Sequence, residues 1–309
     1  MDYMTKKHIR KTFSGIGFLV FTITLSMAVL AAIIVYPLYK YFDTTAMLML
    51  QMLVSVSCMF LTGLFYCWMS KSDLNSLITV RWVKLRRAVP LIMIGLCTAF
   101  IADYVADWVQ QSFSVFGLEN TISFTEDTAT PIENILSIIA VAVVPPLTEE
   151  FVFRGIILGK LRKYGDGFAV LMSSVLFGMI HENIVQIPFA FIVGLAAAFV
   201  TVKCESILPA MFIHFVVNFR SVLFDILKSN KVMEENALNV IYVLFLLVVF
   251  VLAIISAAVL SKDREFFKLE RRKEYPYPDL MGAFVGNAGM ILFIVIVTVN
   301  TVSTLALII

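Results

Sequence analysis

The chain has 309 residues, 60% of them apolar and only 15% charged, with a net charge of +2 and a mean hydropathy of +0.93. A soluble domain is about half apolar and about a quarter charged, so this composition excludes an ordinary soluble protein and points to an all-α polytopic transmembrane helix bundle. No nucleic-acid partner is expected; membrane lipid is.

Crossing the hydrocarbon core takes about 20 apolar residues in helical form. In chain order the apolar runs are 14–39, 45–69, 88–110, 132–160, 166–182, 185–203, 206–227, 238–261 and 282–309. They predict eight or nine spans, and the short run at 166–182 could pair with its neighbour as a partly re-entrant hairpin. The first run is too long for a signal-peptide core and lacks a small-residue cleavage site, so it is expected to remain as an anchor. The longest connection, 111–131, carries spaced Phe, Leu and Ile residues that suit an interfacial segment or an ordinary surface loop. The four cysteines (Cys58, Cys67, Cys97, Cys204) stand singly and form neither a disulfide framework nor a metal-binding cysteine pattern.

Basic residues set the orientation. Lys6, Lys7, Arg10 and Lys11 precede span one, and Lys71, Arg81, Lys84, Arg86 and Arg87 follow span two. Lys160, Arg162 and Lys163 follow span four, Lys203 follows span six, and a basic run from Lys262 to Lys273 follows span eight. With nine alternating spans all of these share one face, against Lys40, Lys228 and Lys231 on the other. The excess of Lys and Arg in cytoplasmic loops then predicts a cytoplasmic N-terminus in a multi-pass plasma-membrane protein.

Ionisable residues inside such spans cost about 2.5–3.5 kcal/mol each on insertion scales and usually face the bundle interior for a functional reason. Span four holds "PPLTEEFVFRG", with Glu149, Glu150 and Arg154. Glu150 and Arg154 are four apart and can neutralise each other on one helix face, which turns Glu149 about 100° away toward another neighbour. His181 ends span five, four residues after Phe177, and span seven carries His214 and Asn218, again four apart. Counted from the basic ends, Glu149 and His181 lie roughly 20 Å deep, and His214 and Asn218 between about 13 and 20 Å. These groups are expected to converge on one polar intramembrane cavity. Pro145 and Pro146 are expected to break span four just before the glutamates and free carbonyls there. Asp103 and Arg220 lie nearer the outer interface, where solvation would account for them.

The ordered set "EEFVFR" (Glu149 to Arg154), "FGMIH" (Phe177 to His181) and "HFVVN" (His214 to Asn218) resembles the CPBP family of intramembrane proteases, the CAAX-protease and bacteriocin-processing (Abi) group. The resemblance covers about 130–225 and implies a catalytic core there, with helices of residues 1–129 and 226–309 flanking it. It implies peptide-bond hydrolysis, with Glu149 as general base, His181 helping to hold the attacking water, His214 and Asn218 stabilising the oxyanion, and Glu150, Arg154 and Phe177 supporting the site. A carboxylate to take the water's proton and preorganised N–H donors for the oxyanion are what that chemistry needs.

Glu149, His181 and His214 would also make a Zn ligand set with an open position, so the cofactor is either none or one divalent metal. "HENIV" lacks the HExxH spacing, since Val185 stands where a second His would be, and this favours the metal-free reading. The substrate is expected to be a membrane-associated peptide or protein, such as a bacteriocin or pheromone precursor or a prenylated C-terminus. The alternatives are a non-catalytic immunity or scaffold protein that keeps the fold, and a transporter. The latter would spread its polar groups along a path instead of clustering them at one height.

Overall fold

In lipid every backbone N–H and C=O must be satisfied within the chain, and long apolar runs do this as helices. The computed structural model describes residues 3–115 and 130–306. Among these the regular structure is entirely helical. The principal helices are α1 (Tyr3–Leu30), α2 (Thr44–Met69), α3 (Leu85–Ser114), the composite helix α4 (Pro131–Tyr164), α5 (Asp166–Met179), α6 (Gln186–Cys204), α7 (Leu208–Ser229), α8 (Glu235–Leu260), α9 (Tyr277–Val285) and α10 (Ala288–Ala306). Their starts follow local chemistry. Asp43 accepts the Ala46 N–H at 2.7 Å to cap α2, and Thr130 and Glu133 form a reciprocal capping box at α4.

Seven of the described helices are long and apolar enough to span a membrane, and the bent pair α9–α10 raises the number to eight. Of the eight or nine spans expected, the lower number is the one reached, and the run at 166–182 takes the hairpin alternative. At 14 residues α5 extends only about 21 Å, well short of the roughly 30 Å hydrocarbon core. It packs against α6 as a hairpin whose tip, residues 180–185, carries His181. The last span is not one straight helix either: it bends by 65° between α9 and α10. Asn287 closes both sides of that bend, donating to the Phe284 carbonyl at 2.6 Å and accepting the Met290 N–H at 3.0 Å. The interfacial piece expected within 111–131 lies mostly outside the described residues.

Large apolar side chains such as Leu244, Leu247, Val248, Ile254 and Ile255 face outward on α8. On a soluble protein so broad an apolar surface would be a liability; here it is the lipid-facing wall of a multi-pass membrane protein. The interior has two clusters. One joins α1, α4, α5, α9 and α10 through Phe13, Phe153, Phe168, Phe284 and Phe293, with the Phe13 ring 5.0 Å from Tyr164 and 5.3 Å from Phe284. The other joins α3, α6, α7 and α8 through Leu91, Phe100, Val193, Ile213 and Val249. Helices α1 and α10 cross at Gly17 and Gly289, where any side chain would strike the other backbone; small residues permit such close approach in membranes.

The basic connections meet at one end of the bundle. The Ile207 N–H donates to Thr79 at 3.0 Å, and the Gly167 N–H to Glu270 at 3.4 Å. Lys203 Nζ donates to the Lys268 carbonyl at 2.7 Å, and Arg81 pairs with Glu205. The charge asymmetry of the sequence is thus a feature of the folded molecule. It survives the lower span count because the α5–α6 hairpin begins and ends at the same end.

Candidate active site

The site is built on α4. The prolines do not break this helix, as the sequence suggested; it runs on, widened into π-helical turns at Ala140's segment (Ile139–Val143) and again over Phe151–Ile157. Pro145 has no N–H to offer the carbonyl four residues back, which belongs to Val141. Asn218 Nδ2 on α7 donates to that carbonyl at 2.9 Å. Thr148 Oγ1 donates to the Val144 carbonyl at 3.1 Å. The expected freed carbonyl is present, and the third motif satisfies it.

Glu150 and Arg154 form the expected pair, Oε2 to Nε at 3.0 Å, with both side chains 1% exposed. A buried ion pair needs further partners to offset desolvation, and most of its atoms have them, Arg154 Nη1 alone of the guanidinium nitrogens finding none among the described residues. Glu150 Oε1 accepts from His214 Nδ1 at 2.9 Å. Arg154 Nη2 donates to the Gly194 carbonyl at 3.5 Å, and its guanidinium lies 4.1 Å from the centre of the Phe177 ring. Phe177 also meets His181 and His214 edge-on at 5.0 and 5.9 Å, and its carbonyl accepts from His181 Nδ1 at 2.8 Å. One phenylalanine therefore braces the arginine and both histidines.

These bonds fix the rings. A carbonyl and a carboxylate can only accept, so both histidines carry their proton on Nδ1 and, when neutral, leave Nε2 as a lone pair. Glu149 points away from the Glu150–Arg154 pair, as its 100° offset requires. Its Oε2 is buried without a hydrogen-bond partner among the described residues and lies 3.9 Å from His214 Nε2. That is too long for a direct bond, yet both atoms can reach a single water at about 2.8 Å.

Glu149, Phe177, His181, His214 and Asn218 all line one cavity of ≈410 Å³. Glu150 and Arg154 are packed behind it. Asp103 and Arg220, which solvation alone had seemed to explain, line the same cavity and form a two-point pair at 2.5 and 3.2 Å, joined by the Tyr242 hydroxyl at 2.6 Å from Arg220. Residues 117 apart in sequence carry no periodic signal of such pairing. On its other side Glu149, with Ala140 and Pro145, borders a second cavity of ≈630 Å³ walled by α1, α2 and α10 and containing Gln51, Ser55, Glu182 and Asn300. Glu182 accepts from Asn300 Nδ2 at 2.8 Å, tying the turn after His181 to α10. Sequence reading missed both residues of that tie, because Asn300 lies among Thr298, Thr301 and Ser303 with no spacing that singles it out.

Among the described residues no three His, Cys, Asp or Glu side chains are grouped closely enough to hold a metal ion. As placed, Glu149, His181 and His214 do not fit a zinc centre, and no step is derived through one.

A buried carboxylate and two imidazoles converge on a polar cavity inside an apolar helical bundle, which makes this a multi-pass membrane protein with a candidate reaction site in its interior. Residues 131–220 match the family model described as type II CAAX prenyl endopeptidase Rce1-like, so the family recognised from the three motifs is the one the comparison returns. The chain is 28% identical over 145 residues to "Putative membrane peptidase YdiL" of Bacillus subtilis (strain 168), covering 46% of this chain and 59% of that protein. It is 30% identical over 115 residues to "Membrane-embedded CAAX protease MroQ" of Staphylococcus aureus (strain USA300), covering 34% and 46%. The chain thus spans about half the length of the curated relatives it matches. No solved structure matches it.

Proposed function

We propose that this protein is an intramembrane endopeptidase that hydrolyses a peptide bond in a membrane-associated peptide or protein with a glutamate-activated water. The observation that carries the reading is the unpartnered Glu149 Oε2 facing His214 Nε2 across 3.9 Å in a cavity shared with His181 and Asn218. Glu149 takes one proton from the water, and the hydroxide adds to the substrate carbonyl. Asn218 has one Nδ2–H committed to Val141 and keeps a second for the oxyanion. His214 Nε2 donates there only when the ring carries two protons, since its Nδ1–H is held by Glu150. Glu149 then passes its proton to the leaving nitrogen as the C–N bond breaks, giving a carboxylic acid and an amine; loss of the acid's proton to the amine completes the reaction. His181, fixed by the Phe177 carbonyl, accepts from the water through Nε2 and holds it in place.

The reaction is proposed to proceed without a metal. Stoichiometric Zn in active protein, whose removal abolishes turnover, would overturn that part. The proposed setting is the plasma membrane with the basic end of the bundle, and so the N-terminus, in the cytoplasm; reporter fusions in the 262–273 loop that reside outside the cell would contradict it. The proposed substrates are bacteriocin-like or pheromone precursors, or a prenylated C-terminus of the kind the type II CAAX description names. The test is peptide-terminus mapping in cells carrying the wild type or Glu149→Gln. The substitution keeps size and removes the base. Termini found only with the wild type identify activity and substrate together. Identical termini at equal protein levels would refute the enzyme in favour of a scaffold or immunity role.

A further inference from the structure

A third cavity, of ≈750 Å³, lies away from the active site between α1 and α2, where the basic end of α4 emerges. Its upper rim carries Lys11, Lys71, Lys160 and Lys163, and its lower wall includes Phe18 and Phe65. From His8 to Thr22 it follows α1 for about 21 Å, comparable with much of an acyl chain. No carboxylate lines it.

Elsewhere on the same basic end four cations are matched, Arg162 with Asp166 at 2.8 Å, Lys268 with Glu265 at 2.6 Å, Arg272 with Glu270 at 2.8 Å, and Arg81 with Glu205, while Lys84, Lys262 and Arg264 stand apart from one another along the connections; the groove differs in gathering four lysines above one apolar wall. Among the described residues none of the four groove lysines has such an ion pair. Instead Lys160 Nζ is held by the hydroxyls of Ser70, at 3.3 Å, and Ser72, while Lys163 Nζ is held by Thr12 Oγ1 and His8 Nε2, each at 3.4 Å. Neutral partners orient ammonium groups without cancelling their charge. Clustered ammoniums that lack a protein counter-ion favour an anion from outside, and basic pockets between membrane helices are suited to anionic headgroups.

We propose that this groove binds an anionic glycerophospholipid, with its phosphate against Lys160 and Lys163 and its acyl chains along α1 and α2. A charged rim above an apolar wall matches a lipid and not a free anion. The site is separate from the proposed peptidase chemistry and stands or falls independently of it.

The full chain is placed in nanodiscs of phosphatidylcholine and phosphatidylglycerol in equal parts, extracted gently, and its retained lipids are counted by native mass spectrometry. Phosphatidylglycerol is expected to be enriched over phosphatidylcholine of matched chains. Each lysine near an anionic headgroup is worth about a fivefold preference, so K160Q/K163Q is expected to reduce the enrichment roughly thirtyfold. Lys262→Gln, on the same end but outside the groove, is expected to leave it unchanged. If K160Q/K163Q does not fold, K11Q/K71Q, at two exposed rim positions, is expected to lower the enrichment in the same direction. Equal retention of the two lipids, or enrichment that survives loss of the rim lysines, would overturn the proposal. So would displacement of the lipid by millimolar inorganic phosphate alone, since the acyl wall would then contribute nothing.

Discussion

Replacing Glu150 by Gln is the sharpest test of how the site tolerates charge in lipid. The substitution preserves volume and leaves an oxygen for His214 Nδ1, 2.9 Å away, but strips the counter-charge from Arg154, whose Nε lies 3.0 Å from Glu150 and whose side chain is 1% exposed. Breaking one partner of a buried pair costs about 3–5 kcal/mol because it strands the other charge. The Gly194 carbonyl at 3.5 Å and the Phe177 ring at 4.1 Å are dipolar partners and cannot replace a carboxylate. Arg154→Met, which strands Glu150 instead, is expected to cost a similar amount. In the double variant neither charge remains and His214 keeps its acceptor, so its stability is expected to return to within about 2 kcal/mol of the wild type. The measurement is a double-mutant cycle by reversible unfolding in mixed micelles, followed by tryptophan fluorescence. A coupling energy of about 3 kcal/mol or more supports the reasoning. Additive losses, with coupling below about 0.5 kcal/mol, would refute it and mean that the pair is solvated despite its burial.

Three further perturbations have defined outcomes. Asn218→Ala leaves the Val141 carbonyl without its 2.9 Å donor and is expected to destabilise the protein by about 1–3 kcal/mol; a value near zero, read from the same unfolding assay, would mean that water already serves that carbonyl. Phe177→Leu keeps an apolar filler but removes the ring facing Arg154, with an expected loss of about 2 kcal/mol, and a cycle with Arg154→Met should show the two effects to be coupled. Asn300→Ala removes the 2.8 Å donor to Glu182, a charged acceptor, at a cost of about 1.5–3 kcal/mol. Because Glu182 follows His181 directly and is held at φ +51°, a conformation costly for a residue with a side chain, proteolysis and hydrogen exchange should report loosening at residues 180–185. Unchanged protection there would separate α10 from the site.

Much of the site was legible because helix geometry is periodic. The four-residue spacings of Glu150 with Arg154 and of Phe177 with His181 each reappear as a direct contact, and the offset of Glu149 reappears as a carboxylate turned toward a cavity. The spacing of His214 and Asn218 reached the right helix face but not the bonding, because Asn218 spends one donor on the Val141 carbonyl, which Pro145 and Pro146 leave without an N–H. At α5 the sequence left two readings open, a ninth span or a hairpin with its neighbour, and helix length decides for the hairpin. The run drawn to residue 182 takes in His181 and Glu182, whereas the helix stops at Met179, too short to span, and the chain turns there. Asp103 with Arg220, and Glu182 with Asn300, join segments far apart in sequence, and no single-helix pattern encodes which of several polar residues will meet.

The position of Glu149 between two cavities bears on how such a site could be selective. Of the second cavity's wall, only Ala140, Val144, Pro145, Thr148, Glu149 and Glu182 come from the segment that matches the family model. The rest, including Gln51, Ser55 and Asn300, belong to α1, the turns that follow it, α2 and α10. On the proposed reading the three motifs fix the chemistry at Glu149, while these flanking helices shape one of its two approaches. A bundle that shares the motifs but differs in α1, α2 and α10 would keep the reaction and change what reaches it. That division also explains why polar residues occur in helices outside the matched segment: Gln51, Ser55 and Asn300 would each be costly against lipid, and all three face the cavity that ends at Glu149.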